Sequence, residues 1–290
     1  MFERRGYLLD ITRRAPAKRV MERLVDVLAA YCYNEFYLYS ETDAPEGLDF
    51  KRLGLYCEMQ GIRFERLDKD AWERLFLSAT YACAGTESAR SLAGRVEEMR
   101  ERMEKAEETG RARKLKGFLV TDFADPCAWQ PLCVSLPGIV LGGTFASSGR
   151  TASRMDLEKE LDAVMDAPLG GLLLRLGTLY LRGGAVRPDA SEYFNILSGD
   201  VGYSRHPGLT QFVLDDVSAV AHGVRLAAER WLERSEWAAE IVHAANLLDC
   251  ACHRRDERRL RELRDEHGRV WRARCLPEGR VESLARLPRF

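Results

Sequence analysis

The sequence predicts an α/β protein: a parallel sheet of about five strands followed by an α-helical bundle. Three observations carry that reading. Short apolar runs alternate with helical patterns over residues 1–150; two of those runs end in clusters of polar side chains; and beyond residue 150 the strand signals give way to helical stripes. The division is drawn as two domains, 1–150 and 151–290, with the small, polar segment 142–153 as the boundary.

The elements follow in order. Leu8–Ile11 reads as the first strand, and Pro16 opens a helix with Val20, Met21, Leu24, Leu28 and Tyr31 on one face. Glu35–Tyr39 (EFYLY) is aromatic and extended, a second strand. Residues 48–60 are helical in pattern and stop at Gly61. Ile62–Leu67 is a third strand, and Asp68–Phe76 a short passage to the fourth, Thr80–Ala84. A long helix over Ser88–Glu108 turns Leu92, Val96, Met99 and Met103 inward and ends at Gly110, before a fifth strand at Gly117–Asp122. Strands separated by helices make a parallel sheet with right-handed crossovers.

The second half carries apolar residues at helical spacing over 157–164, 169–181, 209–231, 237–251 and 258–271. Val213, Val217, Val220, Val224, Ala228 and Trp231 form one such stripe, the signature of packed helices. The Gly/Pro-rich stretch 183–208 reads as a loop.

Composition narrows the function. With 44 basic and 45 acidic side chains in 290 residues, the chain lacks the basic footprint of a nucleic-acid binder. The arginines of 254–274 alternate with Asp256, Glu257, Glu262, Asp265 and Glu266, a solvated helix face. No apolar run reaches transmembrane length, so no membrane partner is expected. Eight cysteines without a secretory leader or a repeated C-x-x-C spacing read as reduced thiols in a cytoplasmic protein, with neither metal nor cofactor. A cysteine nucleophile at Cys83 or Cys127 needs a basic partner, and all five histidines lie from His206 onward.

Chemistry gathers at two strand ends. GYLLDITRR (6–14) runs from apolar residues into Asp10, Thr12 and Arg13, and GFLVTDFADPCAWQ (117–130) into Asp122, Asp125 and Trp129. Polar groups at the carboxyl ends of buried parallel strands are where α/β sites are built. A guanidinium and carboxylates hydrogen-bond sugar hydroxyls, and an indole face packs on a pyranose ring.

These motifs resemble family-20 glycoside hydrolases, the β-N-acetylhexosaminidases. Arg5 to Arg13 resembles their R-G-x-x-L-D-x-[ST]-R opening, and 121–130 their T-D-W-G-D-x-x-x-W-Q pattern, with Phe123 and Ala124 as departures. YACAGTESARSLAGR (81–95) resembles the seventh-strand region, with Ala89 where relatives carry tryptophan, and Ser147 replaces another. Glu41 matches a glutamate after the second strand, although the histidine beside it is Thr42 here. LRELRDEHGRVWRARCLPEGRVESLARL (260–287) resembles the end of the accessory helical domain of bacterial relatives.

The resemblance implies a sugar site of Arg13, Glu41, Asp122, Asp125 and Trp129, binding an N-acetylhexosamine-type sugar. It implies a partial (β/α) barrel, because a closed one takes about 250 residues. The family's strands 4 to 6 have no counterpart, which leaves neighbours in the order 3-2-1-8-7 and two open edges that a second copy of the chain would pair. Family activity is removal of terminal β-N-acetylhexosamine, with the substrate's own acetamido oxygen as nucleophile and an Asp–Glu pair after the fourth strand. The Asp–Glu dipeptides here, Asp256–Glu257 and Asp265–Glu266, lie in the helical tail. The expectation is therefore a truncated relative with no catalytic residue of its own, a pseudoenzyme that binds amino sugars or serves structurally.

Overall fold

The computed structural model describes residues 1–42, 45–149, 155–184, 189–199, 206–253 and 256–288. Five parallel strands form one sheet: β1 (Arg4–Asp10), β2 (Glu35–Tyr39), β3 (Arg63–Leu67), β4 (Tyr81–Gly85) and β5 (Gly117–Asp122), in the order β3-β2-β1-β5-β4. Leu8 sits between Tyr37 of β2 and Thr121 of β5, so β1 is central.

Between the strands run α1 (Lys18–Ala30), α2 (Phe50–Met59), α3 (Lys69–Leu77) and α4 (Val96–Ala112). Asp49 and Asp68 cap α2 and α3 by accepting from the backbone amides of Arg52 and Ala71. After β5 come α5 (Leu136–Ser148), α6 (Leu157–Met165), α7 (Gly170–Gly177), α8 (Glu192–Ser198), α9 (Gln211–Glu229), α10 (Glu236–Cys252), α11 (Glu257–Arg274) and α12 (Arg280–Arg286).

Alternation along the strands sorts side chains onto two faces. Tyr7, Leu9, Phe36, Leu38, Phe118 and Val120 join the main core, which continues without a break into α5–α11. Leu8, Tyr37, Tyr39, Leu67, Tyr81 and Leu119 form a second cluster on the other face, closed by Ala71, Trp72 and Leu75 of α3 together with Phe123. The passage between the third and fourth strands is therefore a lid for that face.

Four expectations need correction. The helix before β5 starts at Val96, not Ser88, and runs through Gly110 to Ala112. Gly110 is there for closeness, since a Cβ would press on Ala82 and Phe2. Residues 142–148, read as a boundary, belong to α5, while 150–153 lie outside the described residues. The small residues are a contact surface: side chains at Gly142 and Gly143 would collide with Val120 and with the Tyr31 carbonyl. The stretch 183–208 contains α8, although 185–188 and 200–205 also fall outside the described residues. Pro16 lies before α1, in an isolated antiparallel bridge to Cys275.

Candidate functional site at the carboxyl ends of the strands

At the rim, β1 ends in Asp10, which is buried and accepts from the amides of Thr12 (2.8 Å) and Ala124 (3.2 Å). Burial pushes its carboxyl above the usual aspartate value, against those two bonds. Asp10 thus ties the end of β1 to the turn after β5.

Asp122 is 4% exposed and fully engaged. Its Oδ1 accepts from Thr86 (3.0 Å) and Ser88 (2.8 Å), and its Oδ2 from the Tyr7 hydroxyl (2.8 Å). Asp125 accepts from three backbone amides: Arg90 at 2.8 Å, Cys127 at 2.8 Å and Ala128 at 2.9 Å. Trp129 is 1% exposed, donates from its indole to the Ser283 carbonyl (3.1 Å) and packs on Phe194. These three side chains stand beneath the rim and hold the turn that carries them.

Glu41 and Arg13 are exposed. The Glu41 amide donates to Thr12 Oγ1 (3.1 Å), and its carboxylate accepts from Tyr39 (3.2 Å). Arg13 lines an open cleft of about 460 Å³ with Ile11, Thr12, Thr42, Glu46, Glu278 and Gly279. Thr12 therefore joins Arg13 and Glu41 at one rim, with Asp122, Asp125 and Trp129 below it. Among the described residues the cleft wall mixes polar side chains with Ile11, Ala15 and Pro45 and carries no aromatic ring. Aromatic rings cluster instead on the α3 side, where Phe123 meets Trp72 (5.4 Å) and Tyr39 (5.8 Å) edge-on.

A second polar assembly lies behind the rim. A small cavity of about 20 Å³, room for one water, is lined by Arg14, Trp129, Glu240, His243, His267, Trp271 and Arg274, among others. Arg274 pairs with Glu240 and with Glu236 (2.7 Å), and Glu240 also accepts from the Cys133 amide (2.6 Å). Beside them runs a chain of hydrogen bonds: Glu266 Oε1 to His243 Nδ1, His243 Nε2 to His267 Nδ1, and His267 Nε2 to Ser283 Oγ, each 2.9 Å. The Ser283 hydroxyl then donates to the Cys127 carbonyl (2.6 Å). The sequence held one signal of this: His243 interrupts the apolar run Ile241–Ala245, where a polar group needs a buried partner.

The two Asp–Glu dipeptides lie at the start of α11 and within it. Asp256 caps α11 by accepting from the Arg259 amide, and Glu266 belongs to the histidine chain. Among the described residues, no group of three His, Cys, Asp or Glu side chains is placed to hold a metal ion, and no helix is long and apolar enough to cross a membrane. No family model matches the chain, and no curated protein matches it.

Proposed function

We propose that the chain is a shortened, non-hydrolytic relative of the family-20 β-N-acetylhexosaminidases that binds an amino sugar at the Arg13 cleft. The observation that carries the reading is the juxtaposition of strand order and cleft. The order β3-β2-β1-β5-β4 is the one left when strands 4 to 6 are removed from such a barrel, and the cleft opens at the carboxyl ends of β1 and β2. On this reading α3 fills the space of the missing strands, and Trp72 and Phe123 seal it.

The chemistry of the cleft suits a hydroxyl-rich ligand. Arg13 offers up to five N–H donors, Glu46 and Glu278 accept, and Thr12 and Thr42 do both. Hydrolysis needs more. A general acid must reach the glycosidic oxygen, and a second carboxylate must orient the acetamido group. Asp10, whose carboxyl is raised, is buried with both oxygens on backbone amides. Glu46 and Glu278 come from separate loops, not from an adjacent Asp–Glu pair.

The same reading places the protein in the cytoplasm, in keeping with eight cysteines none of which forms a disulfide. A homodimer would pair through β3, the more exposed edge, although Arg63, Glu65 and Arg66 charge it.

N-acetylglucosamine titrated into labelled protein should shift the signals of residues 11–15 and 45–46 with roughly millimolar affinity, on the order of 4 kcal/mol. Arg13→Ala should abolish the response. Equal shifts in wild type and variant would remove the cleft as the site. No turnover of an aryl β-N-acetylglucosaminide is expected; turnover lost in Arg13→Ala would replace this reading with the enzyme.

A further inference from the structure

The directions of the hydrogen bonds in the histidine chain can be deduced from its far end. A carbonyl only accepts, so Ser283 spends its single proton on Cys127. Ser283 Oγ must then accept from His267, which fixes a proton on Nε2 of that ring. Burial, with His243, Arg14 and Arg264 nearby, holds His267 well below the ordinary histidine value, so the ring is neutral and its Nδ1 is bare. That nitrogen accepts from His243 Nε2. His243 Nδ1 and Glu266 Oε1, 2.9 Å apart, must then share a further proton, because two lone pairs do not bond. Asn246 donates to the other Glu266 oxygen (2.6 Å), so the shared proton belongs to the Oε1 side of the pair.

We infer that this chain is an acid-operated latch: it holds α12 against the turn after β5 with one proton in the Glu266–His243 pair and has no place for a second, so protonation of His267 releases the helix. A second proton would sit on His267 Nδ1 and meet the His243 Nε2 proton head-on, across a 2.9 Å gap between rings with centroids 5.1 Å apart. The surroundings oppose it. His243 and Glu240 from α10, Arg264, Glu266 and Arg274 from α11, and Arg14 from the loop after β1 face or border the ring. Glu240 is paired with Arg274, and Glu266 shares a proton with His243. Cys275, its thiol pushed up to about 11 by burial, lines the same cavity uncharged. α12 and the β5 turn bring the Ser283 hydroxyl and the Cys127 carbonyl, and the Leu284 and Leu287 carbonyls at the end of α12 accept from Arg264 (2.8 and 3.1 Å).

The consequence is local. Ser283 is the shared anchor, bonded through its hydroxyl to His267 and Cys127 and through its carbonyl to Trp129. The turn before α12, Glu278–Gly279, walls the Arg13 cleft, so release also reshapes that cleft, whatever it binds.

The sign follows from linkage. His267 has a depressed value when latched and an ordinary one, about 6.5, when released. The latch is at full strength above that value and weakens as pH falls, because the released state binds the extra proton. With the latched ring neutral down to pH 5, the released fraction at pH 5 is about thirtyfold that at pH 7.5.

Hydrogen exchange of the Trp129 indole and the α12 amides, corrected for intrinsic rates, tests this. Wild type and the exposed-histidine control His222→Gln should show the thirtyfold acceleration, and His267→Gln should not. Equal acceleration in His267→Gln, or none in wild type, would overturn the latch. Should His267→Gln fail to fold, nitrogen spectra of the wild-type imidazoles decide. A bare His267 Nδ1 at neutral pH that gains its proton as the Trp129 indole is exposed supports the latch, and a charged His267 ring at pH 7 refutes it.

Discussion

The two ends of the sheet handle buried carboxylates in opposite ways. At the amino ends Glu35 is held by charge: Arg4 (2.8 Å) and Arg63 (2.9 Å) reach it, with Tyr37 and Tyr81 adding hydroxyls. At the carboxyl ends Asp10, Asp122 and Asp125 are buried with no arginine in ion-pair contact among the described residues; amides and hydroxyls alone hold them. An arginine on the surface brings water with it, whereas a buried amide does not. Glu35 is therefore tied by bonds that solvent can replace, and Asp10, Asp122 and Asp125 by bonds that it cannot; Glu87, just after β4, is the carboxylate of that end that arginines hold, Arg95 and Arg102. Near the rim, the groups left for a ligand are the exposed ones at the Arg13 cleft.

This contrast breaks most readily at Asp125. Replacement by alanine strands three backbone amides and should cost about 4 kcal/mol in urea unfolding. Asp122→Ala should cost less, about 3 kcal/mol, because Thr86 and Ser88 already lie 3.1 Å apart and can bond each other. Glu35→Gln tests the other end. The Arg4 and Arg63 side chains are 34% and 55% exposed and keep their hydration, so a loss of about 1–2 kcal/mol is expected. A larger loss at Glu35 than at Asp125 would reverse the comparison. Smallest of all, Arg13→Ala should change stability by less than about 0.5 kcal/mol, as an exposed residue with no ion pair among the described residues does. A larger effect would mean that Arg13 holds the fold rather than a ligand.

The sheet was legible because each strand advertises itself locally. EFYLY and GFLVTD coincide with β2 and β5 to the residue. Helix α5 was hidden because its glycines, which normally signal loops, are here the price of close approach to Val120 and Tyr31. Helix α3 was read as a passage because Trp72 and Leu75 declare their role only once Tyr39 and Phe123 are beside them. For the site, residue type and strand end were readable, but orientation was not. The partners that occupy Asp122 lie 34 to 115 positions away, and nothing in TDFAD reveals them. The histidine chain draws on three helices and a turn, a pattern with no local trace beyond His243 itself.

The bridge between Pro16 and Cys275 also bears on how the protein is made. Ala17 donates to the Arg274 carbonyl, and Leu276 to that of Ala15, so the loop after β1 completes its backbone bonding only with residues from the far side of the chain. At ribosomal speeds, roughly 5–20 residues per second, those partners emerge on the order of 10–50 seconds after the loop itself. Through that interval the rim of the cleft is an open backbone awaiting its neighbours. Closing it joins segments about 260 residues apart, a contact of high sequence separation.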